Sequence, residues 1–139
     1  MKHDFSDIEL AYDSVSSQAP SMCVAYISRT HGTIFYLDDA TGVSDELPED
    51  FETSDDYLEI PHKNDLDLGV PLVKRFIGKV RPELSDDVRS IFSRKGAYSR
   101  YKSLLERNRI LDDWYQFEQQ QTEAELKLWC EQNGITLAP

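Results

Sequence analysis

Cysteine and histidine are scarce in this sequence of 139 residues, which contains two of the first and three of the second. Cys23 and Cys130 are far apart, and neither has the cysteine or histidine neighbours that hold a zinc ion. Because an unpaired cysteine packs as a small hydrophobic side chain, we predict two buried free thiols. This use of cysteine is typical of a reducing compartment.

Long apolar runs and clusters of glycine are also missing. No apolar stretch approaches the ~18 residues of a membrane span, and the residues after Met1 lack the apolar segment of a signal peptide. The six glycines are scattered, so the sequence has no phosphate-binding loop and no dinucleotide fingerprint. We therefore expect a cytoplasmic protein with no membrane partner, no cofactor and no bound metal. A non-enzymatic role is favoured over catalysis.

The charge of the chain is acidic and unevenly distributed. Acidic residues outnumber basic ones by 26 to 15, which gives a formal net charge of −11. Residues 1–70 carry 16 acids and 3 bases, whereas residues 71–139 carry 10 acids and 12 bases. Eleven of those bases lie within residues 74–109, here called the basic segment, beside four acids. Since Lys and Arg attract anions, an anionic partner is expected only at this segment.

Apolar residues at helical spacing predict one helix near the N-terminus and about four helices after residue 63. In the first helix, Ser6 and Glu9 have the form of a capping box. The second helix is expected to begin between Asp67 and Leu72, and Ser85 is predicted to cap the third. The apolar stripes behind these predictions are Phe5, Ile8, Tyr12 and Val15; Leu68, Leu72, Phe76 and Val80; Val88, Ile91 and Phe92; and Tyr98, Tyr101, Leu104 and Leu105.

The longest helix is predicted over residues 112–132. Its stripe runs in steps of three and four residues, and Gly134 supplies the left-handed residue that closes a helix. The residues of this stripe are Trp114, Phe117, Gln121, Ala124 and Leu128.

Three segments rich in β-forming residues predict a small antiparallel sheet. Segments 22–28 and 33–37 flank a turn that contains Gly32, which is typical of a hairpin. Segment 57–60 ends at a proline and predicts a third strand. The acidic stretch between the second and third strands is expected to be a surface loop.

Together these elements predict an α+β fold: an N-terminal helix, a three-stranded antiparallel sheet, then a helical region. We expect a single domain over residues 1–139, because a chain of this length forms one hydrophobic core. Within it, residues 1–63 form the helix and sheet, and residues 64–139 form the helical region packed on them.

Four stretches of the chain are similar to an uncharacterised family of small bacterial proteins. They are YLEIPHKNDLDLG at 57–69, KGAYSRYK at 95–102, WYQF at 114–117 and LWCEQNGI at 128–135. The hairpin turn departs from the family's usual Thr-Gly and reads His31-Gly32. The resemblance implies a bacterial cytoplasmic protein with no assigned activity, so it carries over no catalytic residue.

A polar cluster follows the third predicted strand and comprises Glu59, His62, Asp65 and Asp67. Its oxygen and nitrogen atoms suggest a metal or active site. A calcium-binding loop that begins at Asp65 is excluded, however, because its twelfth position requires a glutamate and is occupied by Phe76. After Pro61 the same residues are suited to turn and capping roles, which we favour.

The basic segment contains the candidate partner-binding residues. Cations alternate there with aromatic residues, a mixture that neutralises phosphates and stacks on bases, although Tyr98 and Tyr101 are also spaced as core residues. Two aromatic residues of the last helix lie off its apolar stripe and join the set. The candidates are Arg94, Lys95, Tyr98, Arg100, Lys102, Tyr115 and Trp129.

The sequence thus supports three functional hypotheses. The first is a non-enzymatic binding or regulatory module that engages another protein, because charge is segregated and aromatic residues are plentiful. The alternative is a nucleic-acid-associated protein that uses the basic face of residues 74–109. The third is an enzyme or metal site within residues 59–67.

Overall fold

A computed structural model describes residues 3–19, 22–38, 42 and 44–138 of the chain. It confirms the α+β fold, with a helix, a three-stranded antiparallel sheet and four further α-helices. The elements are α1 (Phe5–Ser16), β1 (Cys23–Ser28), β2 (Ile34–Asp38), β3 (Tyr57–Glu59), α2 (Val70–Val80), a 3-10 turn (Pro82–Leu84), α3 (Ser85–Ile91), α4 (Ala97–Arg107) and α5 (Leu111–Gln132).

The chain divides into two compact units. The first unit consists of Met1–Leu66 and Glu125–Pro139, and the second of Asp67–Ala124. The first therefore contains the sheet, α1 and the C-terminal part of α5. The prediction of a single domain, with its helical region starting at residue 64, stays a prediction.

Helix α1 begins two residues earlier than the capping box predicts. The Asp4 carboxylate accepts a hydrogen bond from the Ser6 backbone N–H at 2.9 Å, so Asp4 is the cap and Ser6 is already helical. The capping-box prediction was wrong because an aspartate with extended backbone two residues earlier satisfies that N–H. The buried face of α1 packs against β1, as the apolar spacing indicates.

The sheet has the order β2-β1-β3, and both pairings are antiparallel. Ile27 lies opposite Ile34 on one side and Leu58 on the other. The predicted hairpin is confirmed, and Gly32 adopts the left-handed conformation at φ +74°. Three alternate residues of β1 are buried on the face toward α1, namely Cys23, Ala25 and Ile27.

The opposite face of the sheet is covered by the acidic stretch between β2 and β3. Phe51 lies 4.8 Å from Tyr26 and 5.3 Å from Tyr57, measured between ring centroids. This stretch is thus a surface loop, as predicted, that also supplies an aromatic cover. Four of its residues, Asp39 to Thr41 and Val43, lie outside the described residues.

Asp56 ties the hairpin turn to the start of β3. Its carboxylate accepts hydrogen bonds from the Ser28 hydroxyl and from the Thr30 backbone N–H and hydroxyl, and its carbonyl oxygen accepts one from the Arg29 N–H. The bonds from Ser28 and Thr30 hold the pKa of Asp56 below its ordinary value of 3.8. The folded turn therefore stabilises the ionised form of the Asp56 carboxyl group.

The second unit has an aromatic core. The Trp114 ring lies 5.2 Å from Tyr101 and 5.4 Å from Phe76, and all three side chains are almost fully buried. Burial raises the pKa of Tyr101, and its hydroxyl has no hydrogen-bond partner among the described residues.

Two predictions for α2 and α3 need correction. Val80 ends the predicted α2 stripe but is exposed, because the helix terminates there. Ser85 does not cap α3 and is its first helical residue, since the turn Pro82–Leu84 leads directly into the helix. The predicted start of α2 between residues 67 and 72 is confirmed.

The bounds of α5 agree with the prediction, but its apolar stripe does not. Ala124 and Leu128 are exposed, whereas Leu126 and Cys130 are fully buried. At 100° per residue, Leu126 lies about 120° around the helix from Trp114, and Leu128 about 40° on the other side. The stripe was wrong because residues from Glu125 onward belong to the core of the first unit.

The helix closes as predicted. Gly134 is left-handed at φ +73°, and the Ile135 N–H donates to the Cys130 carbonyl oxygen at 2.9 Å. Cys23 and Cys130 are free and buried, in agreement with the prediction. Burial raises the pKa of the Cys130 thiol to about 11.

We expect Leu126→Ala to lower the free energy of unfolding by about 2–5 kcal/mol, because it opens a cavity in a packed core. The matched change Leu128→Ala should stay within about 0.5 kcal/mol, since that side chain is 45% exposed. Urea denaturation of both variants measures the difference. Equal losses would contradict the burial of Leu126 and the exposure of Leu128.

Asp56→Asn should be less stable than the unmodified chain at neutral pH. A carboxyl group whose pKa is lowered by folding contributes stability above its unfolded pKa, and this is lost as the pH falls through its folded pKa. The gap in melting temperature between variant and parent should therefore narrow below about pH 4. Asp55→Asn is the control and should show no such narrowing.

Candidate partner-binding surface

Six of the seven candidate partner-binding residues lie in the second unit. Arg94 and Lys95 are exposed in the connection between α3 and α4. The other four are Tyr98, Arg100, Lys102 and Tyr115. Trp129 lies on the part of α5 that belongs to the first unit, and it is half-buried.

The turn between α3 and α4 positions the cations. Gly96 is left-handed at φ +72°, which lets α4 start immediately after it. The Arg100 guanidinium donates a hydrogen bond to the Ile91 carbonyl oxygen at 3.2 Å. Arg100 therefore helps to close α3 in addition to carrying charge, whereas Arg94 and Lys95 extend into solvent.

The aromatic residues of the basic segment do not form a stacking surface. Tyr98 packs edge-on against Phe92, with 5.1 Å between ring centroids, and Tyr101 is fully buried. Burial, and then the charge of Glu118, raise the pKa of Tyr98. The sequence spacing that suggested exposed rings between the cations is thus that of a helix whose aromatic residues face the core.

Tyr115 provides the exposed ring. It is 43% exposed, and the Lys102 ammonium lies 5.6 Å from its ring centroid. This distance is within the range of a cation–π contact. The pair places a positive charge beside an accessible aromatic face.

The exposed bases of the second unit form what we call the basic surface. Among the described residues, two bases of the segment form ion pairs, Arg81 with Glu83 and Arg89 with Asp86, each at 3.5 Å. Exposed pairs of this kind are weak and screened by salt. The surface comprises Lys74, Arg75, Lys79, Arg89, Arg94, Lys95, Arg100, Lys102, Arg107 and Arg109.

The basic surface is concave where α2 and α3 meet. A groove of about 230 Å³, here called the α2–α3 groove, lies between the two helices. Its floor is apolar because it is lined by the buried residues Ile77 and Val88. Lys74 from α2 and Arg89 from α3 line it together with the Ser85 hydroxyl.

In the sequence, Lys74 and Arg89 are two members of the basic segment, and no pattern there distinguishes them as the lining of a groove. The two cations are fifteen positions apart, and the turn Pro82–Leu84 brings their helices together. No local pattern signals that concavity. The helical spacing of Ile77 and Val88 predicts burial but says nothing of a cleft above them.

The polar cluster after β3 forms a set of turn contacts around His62. The imidazole Nδ1 accepts a hydrogen bond from the Asn64 N–H at 3.0 Å, so the proton is assigned to Nε2, which donates to the Gln18 carbonyl oxygen at 2.9 Å. The Asp65 carboxylate accepts from the His62 N–H at 3.0 Å. His62 thereby joins this turn to the segment after α1.

The remaining two members of the cluster are separate from these contacts. Glu59 is exposed on β3, and Asp67 belongs to the second unit, where its backbone is left-handed at φ +56°. Across residues 3–19, 22–38, 42 and 44–138, no group of three or more His, Cys, Asp or Glu side chains is arranged to hold a metal ion.

No protein-family model, curated protein or solved structure matches the chain. The resemblance to small bacterial proteins therefore stays a prediction. Within the described part of the chain, every helix is too short or too polar to cross a membrane.

His62→Ala should lower the free energy of unfolding by about 1–3 kcal/mol, because it removes two part-buried hydrogen bonds worth about 0.5–1.5 kcal/mol each, to the Gln18 carbonyl oxygen and from the Asn64 N–H. His62→Gln retains a donor for the Gln18 carbonyl and should recover part of that loss. Chemical denaturation gives the values, with the exposed Glu59→Ala as control. A loss for Glu59→Ala as large as that for His62→Ala would contradict the assigned role.

Proposed function

We propose that the protein is a non-enzymatic binding module whose basic surface engages an acidic protein partner through the α2–α3 groove. The observation that carries this proposal is the groove itself, where one cation from each helix stands beside an apolar floor. Protein interfaces gain most of their affinity from an apolar anchor in a pocket, with charged residues at its rim.

Charge supports an acidic partner. The segment from 74 to 109 carries eleven bases and four acids, and most of those bases are exposed without an ion pair among the described residues. Complementary charge speeds association and selects partners, and it does so most at low salt. An acidic segment with one aliphatic side chain matches both the charge and the apolar floor.

The packing of the aromatic residues favours a protein over a nucleic acid. Single-stranded nucleic acids bind through exposed rings that stack on bases, in addition to cations. Here Tyr98 and Tyr101 pack against other rings, the exposed ring of Tyr115 is in contact with the Lys102 ammonium, and none of the three tyrosines lines the α2–α3 groove. The resemblance to small bacterial proteins adds a bacterial, cytoplasmic setting to the proposal.

The test uses a synthetic peptide of glutamates around a single central leucine, with titration calorimetry at low salt. Binding is expected, and the variant Lys74→Glu with Arg89→Glu should weaken it by about tenfold or more, since two attractive charges become repulsive. Replacing the leucine of the peptide by serine should weaken binding by about tenfold as well, because the apolar anchor is lost.

Arg29→Glu with Lys127→Glu is the matched control, because it reverses two exposed charges outside the basic surface and outside the groove lining. Equal weakening by this control, or no binding of the peptide, would overturn the proposal. A single-stranded oligothymidylate that binds more tightly than the peptide, and loses affinity in the same groove variant, would favour the nucleic-acid alternative.

A further inference from the structure

The first unit has a second concave surface, at the outer edge of β2. Strand β2 is an edge strand because the sheet order places β1 on one side of it only. Near its C-terminal end this edge is covered: the Asp45 N–H donates to the Tyr36 carbonyl oxygen, and the Tyr36 N–H donates to the Asp45 carboxylate, each at 2.8 Å.

The N-terminal end of the same edge has the same backbone orientation. In an antiparallel ladder, alternate residues direct both backbone groups to the same side. Tyr36 directs its N–H and carbonyl away from β1, so Ile34, two residues earlier, does the same. Among the described residues, the cover by Ser44 and Asp45 reaches Leu37 and Tyr36 and stops before Ile34.

A groove of about 350 Å³ lies beside this edge, between α1 and β2, and we call it the α1–β2 groove. Leu10 of α1 is 62% exposed, the largest exposed fraction among the big hydrophobic side chains of the described chain. The groove is lined by Asp7, Leu10, Gly32, Thr33, Ile34 and Tyr36. It therefore combines an apolar wall with an edge strand.

Charge at the groove is negative. The pKa of Tyr36 is raised by burial and by the nearby carboxylates of Asp7 and Asp45, so both acids lie close to the groove wall. Residues 1–66 carry fifteen acids and three bases. A second copy of this groove would bring acid against acid, whereas a basic segment is attracted.

We propose that the α1–β2 groove binds an extended basic segment of a partner protein by strand addition. The backbone of that segment pairs with the N–H and carbonyl of Ile34, and one apolar side chain packs against Leu10. Lysine or arginine side chains two residues before or after it, on the same face of the added strand, lie near Asp7. In strand addition the main chain supplies affinity, and alternate side chains supply specificity. This surface belongs to the first unit and is separate from the α2–α3 groove.

The probe for the test is the peptide Thr-Lys-Thr-Val-Thr-Lys-Thr, about seven residues long, which is an ordinary strand length and places the valine and both lysines on one face. Nuclear magnetic resonance should show the Ile34 amide shifting on titration and its hydrogen exchange slowing. Two N-methylated peptides, one modified at the valine and lysine amides and one at the threonine amides, separate strand addition from charge attraction. One of them should lose about tenfold in affinity or more, while the other binds as before.

Leu10→Lys should weaken binding of the peptide by about tenfold, because it places a charge of the same sign as the peptide's lysines in the groove. Leu128→Lys makes the same change at an exposed leucine outside the groove lining and should leave binding unchanged. Equal affinity of both methylated peptides, equal effects of both variants, or an unmoved Ile34 amide would overturn the proposal.

Discussion

The first unit depends on aspartate side chains that satisfy backbone N–H groups. A small sheet with short connections leaves several such groups without a ladder or helix partner, and each then needs a side chain or water as its acceptor. Among the described residues, aspartate carboxylates accept four of these hydrogen bonds, at a helix start, a hairpin turn, a strand edge and a turn after the sheet. The pairs are Asp4 with Ser6, Asp56 with Thr30, Asp45 with Tyr36, and Asp65 with His62.

This use of acids gives the uneven charge a structural explanation. Several carboxylates of the first unit are required where the backbone needs acceptors, so its acidity follows in part from the fold. Among the described bases of the second unit, two donate to backbone carbonyl oxygens: Arg100 to Ile91 at the end of α3, and Arg81 to Asn108. The two proposed surfaces therefore differ in sign and in chemistry. In these proposals the α2–α3 groove selects acidic side chains, and the α1–β2 groove selects a backbone in extended conformation.

Most of the fold could be predicted from the sequence, because it follows from local patterns. The hairpin at Gly32, the start of α2 and the closure of α5 at Gly134 each depend on residues close in sequence. The caps predicted at Ser6 and Ser85 were wrong, because Asp4 caps α1 and the turn Pro82–Leu84 leads directly into α3. The apolar face of α5 and the α2–α3 groove depend on contacts between distant segments, which periodicity does not contain.

The distribution of cysteine and tryptophan between the two units has a practical consequence. Cys23 and Cys130 are both buried in the first unit, whereas Trp114 is buried in the core of the second. Thiol labelling therefore follows opening of the first unit, and in a Trp129→Phe variant the emission of the Trp114 indole follows loosening of the second. The chain thus carries its own pair of reporters, with which cooperative unfolding can be distinguished from stepwise unfolding without introducing a foreign probe.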